Sequence, residues 1–160
     1  MTFTGSFLPE LSSLTMPFHG TCLCGGITFQ VDNDPIVTTC CHCSNCKKYT
    51  GTVFTTNVVF PAGSLTITKG ENLLSTYRDA TQDSGNALKR IFCSQCGSPL
   101  YNNGGDAGTT LAVFYSALID FGTKDQKDPK PELEYYTKDR VTWVHAVEGA
   151  EQARTKPGRD

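Results

Sequence analysis

The chain has 160 residues, 38% hydrophobic and 19% charged, and its 14 basic side chains nearly balance 16 acidic ones to give a net charge of -2. That length favours one domain with a sizeable core, the apolar content excludes a disordered chain, and the charge balance gives no chain-wide attraction for a phosphate backbone. No run approaches the roughly 18 continuous apolar residues of a membrane span, so neither a nucleic-acid nor a membrane partner is expected.

Residues 1–15 are polar and Ser/Thr-rich without periodicity and read as a flexible extension, and Met16 offers an alternative start. The N-terminus lacks a basic region, and Pro9 and Glu10 interrupt any apolar run, so no secretory signal is visible and a reducing, cytoplasmic setting is expected. Ile27–Val31 alternates apolar and polar residues, which is a strand signal. Ser44–Thr50 offers the one plausible helix, starting at a Ser N-cap and closing on Gly51. Val53–Phe60 is β-branched and aromatic and stops at Pro61; Leu65–Thr68, Leu74–Arg78, Ala87–Phe92, Leu111–Leu118 and Leu133–Tyr136 continue the pattern. Thr123–Pro131 is a Lys/Asp/Pro-rich connector, and residues 148–160 read as a flexible, frayed tail. Short strands with frequent turn residues predict a mainly β domain over residues 16–147.

Eight cysteines stand out: Cys22, Cys24, Cys40, Cys41, Cys43, Cys46, Cys93 and Cys96. An even count permits a disulfide framework. The density is below that of a small disulfide scaffold, however, and clustered thiols in a reducing setting hold metal. Zinc–thiolate bonds near 2.3 Å in a tetrahedron put the sulfurs about 3.8 Å apart, whereas i and i+2 on a strand stand roughly 6.7 Å apart. The chain must curl, and Gly25 and Gly97 ease it.

The groups C-x-C (Cys22, Cys24) and C-x-x-C (Cys93, Cys96) sum to four thiolates, a closed structural zinc site; the alternative is two unrelated buried pairs. The group Cys41-His42-Cys43-Ser44-Asn45-Cys46 supplies three sulfurs, and three ligands with an exchangeable position mark a reactive zinc. Cys40, His42 or a carboxylate can close that tetrahedron, although neighbours on an extended strand face opposite sides. Two Zn²⁺ per chain are therefore expected. Three thiolates leave the second site at net charge -1, which favours a substrate thiolate over an acidified water. Lys47 and Lys48 can offset that charge or hold a substrate carboxylate; two solvated helix lysines are the plainer reading. His42 is a candidate proton relay or a solvent-facing spacer, and Cys40 a candidate redox thiol. His19 and His145 read as structural or exposed, Arg78 and Arg90 as anion clamps or salt-bridge partners, and Tyr135, Tyr136 and Trp143 as core or pocket wall.

The segments Gly20–Phe29, Cys41–Gly51 and Phe92–Ser98, with weaker similarity at Asp120 and Arg140-Val-Thr-Trp143, resemble the glutathione-dependent formaldehyde-activating (CENP-V/GFA) family over residues 17–145. The resemblance implies a β-tent fold, a structural zinc on Cys22, Cys24, Cys93 and Cys96, and a second zinc on Cys41, Cys43 and Cys46. It also implies a carbon–sulfur lyase that joins formaldehyde to glutathione. Glu134 stands where members often carry a His, and Ser116–Asp120 lacks the usual Gly. The expected protein is thus a zinc enzyme acting on a small-molecule thiol, glutathione by resemblance, with Cys41, Cys43, Cys46 and His42 as catalytic residues and a homodimer left open. The alternatives are a non-catalytic zinc-stabilised module for a protein partner, and a redox sensor built on Cys40.

Overall fold

Alternation along Thr55–Pro61 puts Thr56, Val58 and Phe60 on one face and Thr55, Asn57 and Val59 on the other; Val58 and Phe60 are fully buried, and Val59 on the other face is only partly so. That strand lies inside the larger of two sheets in a computed structural model that describes residues 17–83, 85–105, 108–119 and 130–156. The described strands are β1 (Phe18–Thr21), β2 (Thr28–Val31), β3 (Val37–Cys41), β4 (Thr55–Pro61), β5 (Leu65–Lys69), β6 (Leu74–Asp79), β7 (Leu88–Cys93), β8 (Pro99–Gly105), β9 (Thr110–Phe114), β10 (Leu133–Tyr135) and β11 (Glu151–Gln152). The helix α1 is Ser44–Thr50. Strands β1-β2-β5 form a three-stranded sheet, and β11-β10-β3-β4-β9-β8-β7-β6 an eight-stranded one.

The mainly β reading holds. The larger sheet is mixed, since β10 runs parallel to β3 and β11 parallel to β10. Ile27, Phe29 and Val31 of the small sheet region pack into one core with Val58, Phe60, Leu100, Leu111 and Val113 of the large one. Each such burial contributes about 1.5–3 kcal/mol, which seats a small sheet with little stability of its own. Gly20 faces Phe29 across β1–β2, and a Cβ there would lie 2.0 Å from that ring. Gly20→Ala is therefore expected to destabilise the fold by about 1–3 kcal/mol, read as a lowered thermal midpoint.

Several boundaries differ from expectation. The residue capping α1 is Cys43 rather than Ser44, because the Cys43 sulfur accepts the Cys46 N–H at 3.3 Å. Gly51 closes the helix in the left-handed region at φ 68°, as expected. The run from Leu111 leaves the sheet at Phe114 and continues as a 3₁₀ turn over Tyr115–Ala117. Residues beyond Glu148 do not all fray: Glu151–Gln152 pairs with β10, and Ala153 is buried, with its N–H donated to the Glu134 carbonyl. Trp143, expected in the core or a pocket wall, is 68% exposed. The expected extension at residues 1–15 and Asp120 lie outside the described residues.

Candidate metal centres

Cys22 follows β1 and Cys24 sits in the next turn; Cys93 ends β7, and Cys96 occupies the turn into β8. The four sulfurs lie within 4.8 Å of one another. Cys22 Sγ is 3.4 Å from Cys24 Sγ, which is 3.9 Å from Cys93 Sγ. These separations suit the edges of a zinc–thiolate tetrahedron, about 3.8 Å, and far exceed a disulfide bond of about 2.05 Å. All eight cysteines are free thiols. The backbone folds around the sulfurs: Ile27 N–H donates to Cys22 Sγ at 3.2 Å, and Gly97, at φ 74°, sends its N–H to the Cys93 carbonyl. Hydrogen bonds from the Ser98 hydroxyl and N–H bring the Cys96 thiol down to about 5. The donor set fits a closed structural zinc, and it ties the entry of the small sheet to β7 of the large one.

Cys41 ends β3, Cys43 caps α1 and Cys46 lies in its first turn. Their sulfurs also lie within 4.8 Å of one another, and the group is packed by Tyr135 and Tyr136. The chain curls within four residues because the helix starts on a sulfur acceptor. Hydrogen bonds from the Cys41 and Cys43 thiols, helped by Arg90 and opposed by burial, hold Cys46 well below the ordinary thiol range. Three soft donors within one ion's reach fit zinc, as the four-sulfur group does.

Arg90 on β7 is 1% exposed and places both terminal nitrogens 3.9 Å from Cys46 Sγ. It pairs with Asp79 at 2.7 Å and lies 4.9 Å over the Tyr49 ring. Burial raises the Asp79 carboxyl, but hydrogen bonds from Arg90, Asn45 and Thr81 outweigh this and keep it low. Asn45 Nδ2 reaches Asp79 at 2.9 Å, so the same carboxylate holds α1 and Arg90 together. Lys47, expected to offset the sulfurs' charge or hold a substrate carboxylate, donates instead to the Asp139 carbonyl at 2.8 Å. The compensating cation comes from β7.

Truncating one member of a buried pair leaves the other uncompensated, so Arg90→Met is expected to cost about 3–5 kcal/mol at pH 7 by chemical denaturation. Adding Asp79→Asn should recover part of that loss. Because Asp79 is held low, the pair's contribution is full at neutral pH. It fades only as pH falls below about 3.9 and through the depressed value.

Cys40, on the opposite face of β3 from Cys41, forms a third cluster with His42, just past the strand, and Glu134 of β10. The β10–β3 register sets Glu134 opposite Cys40, and His42 Nε2 lies 3.2 Å from Glu134 Oε1 and 3.6 Å from Cys40 Sγ. All three are buried, and Arg140 pairs with Glu134. His42 is thus no solvent-facing spacer, and its ring lies apart from the three-sulfur group. Burial and the neighbouring Glu134 charge push the Cys40 thiol up to about 12. A buried, protonated thiol is a poor redox sensor, and Cys40 does not close the three-sulfur site. His19 and His145 are exposed.

Two cavities flank the three-sulfur group. One, of about 230 Å³, lies on the sheet face bearing Val37, Thr39 and Cys41 and includes Val59, Leu88 and Ala112. The other, of about 210 Å³, is lined by Ser44, Asn45, Asp83, Lys138 and Asp139. Cys43, Gln82 and Tyr136 line both. Sequence reasoning missed Asn57 and Asn102 and gave Glu134 no partner, because only cross-strand register brings the two amides to the cavity beside these sulfurs and Glu134 behind them. Among the described residues, no helix is long and apolar enough to cross a membrane.

The model of the glutathione-dependent formaldehyde-activating enzyme family matches residues 17–139. A crystal structure of a Rhodobacter sphaeroides protein is similar at 23% identity and a TM-score of 0.53, covering 69% of this chain and 97% of that one. At that identity the likeness speaks for the fold. No curated protein matches the sequence.

Proposed function

The chain belongs to the family of glutathione-dependent formaldehyde-activating enzymes, and from that premise we propose that it is a zinc-dependent carbon–sulfur lyase-type enzyme. It binds a thiol at Cys41, Cys43 and Cys46 and promotes that thiol's addition to, and release from, an aldehyde. Glutathione is the reference thiol and formaldehyde the reference aldehyde, giving S-(hydroxymethyl)glutathione. The observation that carries the reading is the three-sulfur group bordering two cavities, with a buried guanidinium against one of its sulfurs.

A zinc ion on three cysteine sulfurs supplies a soft Lewis-acid position that stabilises a substrate thiolate. The chain's residues prepare that position. Arg90 donates toward Cys46 Sγ and draws negative charge from the three sulfurs, which would otherwise repel an incoming thiolate. Asp79 and the Tyr49 ring fix the guanidinium in place. His42 acts by position: its backbone N–H donates to the Tyr135 carbonyl, its ring meets Glu134, and together these fix the backbone between Cys41 and Cys43. Tyr135 and Tyr136 pack the sulfurs and limit water around them.

Exchange of glutathione between its free form and its formaldehyde adduct, followed by NMR with and without zinc-loaded protein, tests the reading. The rate should rise well above the spontaneous one; an unchanged rate contradicts the proposed activity.

A further inference from the structure

Formaldehyde contributes one carbon, and the space beside the sulfurs is far larger than one carbon needs. The 230 Å³ cavity is walled by Val37, Val59, Leu88 and Ala112, with amides at Asn57 and Asn102. Lys156 is the one charged side chain among its described lining residues. The second cavity carries charges of both signs, Asp83 and Asp139 beside Lys138. Lys138 Nζ lies 3.9 Å from each of the two carboxylates, so one ammonium is shared between them. Cys43 stands between the two spaces.

Building on the activity proposed above, we infer that the site takes a zwitterionic thiol in the polar cavity and an aldehyde with a multi-carbon apolar body in the other. The division follows the chemistry of each wall. A thiol of the glutathione class carries carboxylates and an ammonium group, which need partners of both signs. An alkyl or aryl chain gains by leaving water for the Val/Leu/Ala wall, with roughly 0.8 kcal/mol per buried CH₂ as the reference scale. Formaldehyde would leave that wall wet.

The step is addition: the sulfur electron pair forms the S–C bond to the carbonyl carbon, the C=O π pair moves to oxygen, and the thiol proton ends there. Neither partner is oxidised or reduced. Asn57 Oδ1 is buried without a hydrogen-bond partner and offers an acceptor for the new hydroxyl beside Val59 of the apolar wall.

Two stable thioethers, S-hexylglutathione and S-methylglutathione, probe the site without turnover. Calorimetry on the zinc-loaded protein should find the hexyl compound bound at least tenfold more tightly, and saturation-transfer NMR should place its chain against protein methyl groups. Equal affinities overturn the inference. In the adduct-exchange experiment, hexanal should be accelerated over its spontaneous rate at least tenfold more than formaldehyde. Acceleration of formaldehyde alone overturns the inference and leaves the activity standing, whereas no acceleration with either aldehyde overturns both. Val59→Trp fills the apolar cavity and should cut the hexanal-to-formaldehyde ratio at least tenfold. Ala112→Leu serves the same purpose if Val59→Trp does not fold, and an unchanged ratio in a folded variant contradicts the assignment.

Discussion

Replacing Cys93 by alanine is expected to abolish cooperative folding. Cys93 is fully buried at the end of β7, and its sulfur closes the group formed with Cys22, Cys24 and Cys96. Two of those ligands follow β1 in the small sheet and two belong to the β7–β8 corner of the large one, so the metal would join segments about seventy residues apart in the chain. Structural zinc contributes an apparent 10–16 kcal/mol, about, to small zinc-finger peptides at pH 7, while whole domains are stable by only about 5–15 kcal/mol. Losing one of four ligands therefore removes a share comparable with the entire stability. A strong chelator should act on the wild-type protein in the same way. Thermal unfolding followed by circular dichroism checks this: Cys93→Ala should show no sharp transition, and a midpoint within a few degrees of wild type would contradict a structural role for the four sulfurs.

Cys46→Ser is expected to behave in the opposite manner, losing function while keeping the fold. The three-sulfur group sits at one end of β3 and in the first turn of α1, within six residues of chain, so its metal bridges little that is not already joined. Arg90 loses a sulfur acceptor but keeps Asp79 and Asn102. The stability change should stay near 1–2 kcal/mol, a shift of several degrees at most for a chain this size. Adduct exchange, by contrast, should fall to the spontaneous rate. A folded Cys46→Ser protein that retains wild-type exchange would place the chemistry elsewhere.

The partition of sulfurs was legible in the sequence because ligand spacing is a local property and counting four and three needs no tertiary knowledge. The same holds for α1, whose end at Gly51 is written in one residue, although a cysteine sulfur took the capping role expected of Ser44. A strand with alternation, such as β2, or with a β-branched and aromatic run, such as β4, could be read directly. Others could not. Val37-Thr-Thr-Cys-Cys41 has four buried residues in five, since both of its faces are covered and no alternation survives. Pro99-Leu-Tyr-Asn-Asn-Gly-Gly105 is, apart from Leu100 and Tyr101, made of residues that strands otherwise avoid, and it is held by neighbours on both sides.

The groups around the sulfurs were hidden for the same reason. Arg90 reaches Cys46 across 44 residues and Glu134 reaches His42 across 92. The second contact depends on a parallel β10–β3 pairing that no local pattern announces. Glu134, a departure from the family's usual His, acquires a physical meaning only in this setting: its carboxylate meets both His42 and Arg140 behind the knuckle. The docking of Glu151–Gln152 likewise depends on an edge supplied by β10 rather than on its own composition.

Native mass spectrometry of the intact, reduced protein puts the division of the seven sulfurs to the most direct test. The wild-type chain should carry two zinc ions, and a folded Cys46→Ser chain should carry one. Two zinc ions retained by that variant, or a metal-free wild type whose mass is lowered by cysteine oxidation, would contradict the account.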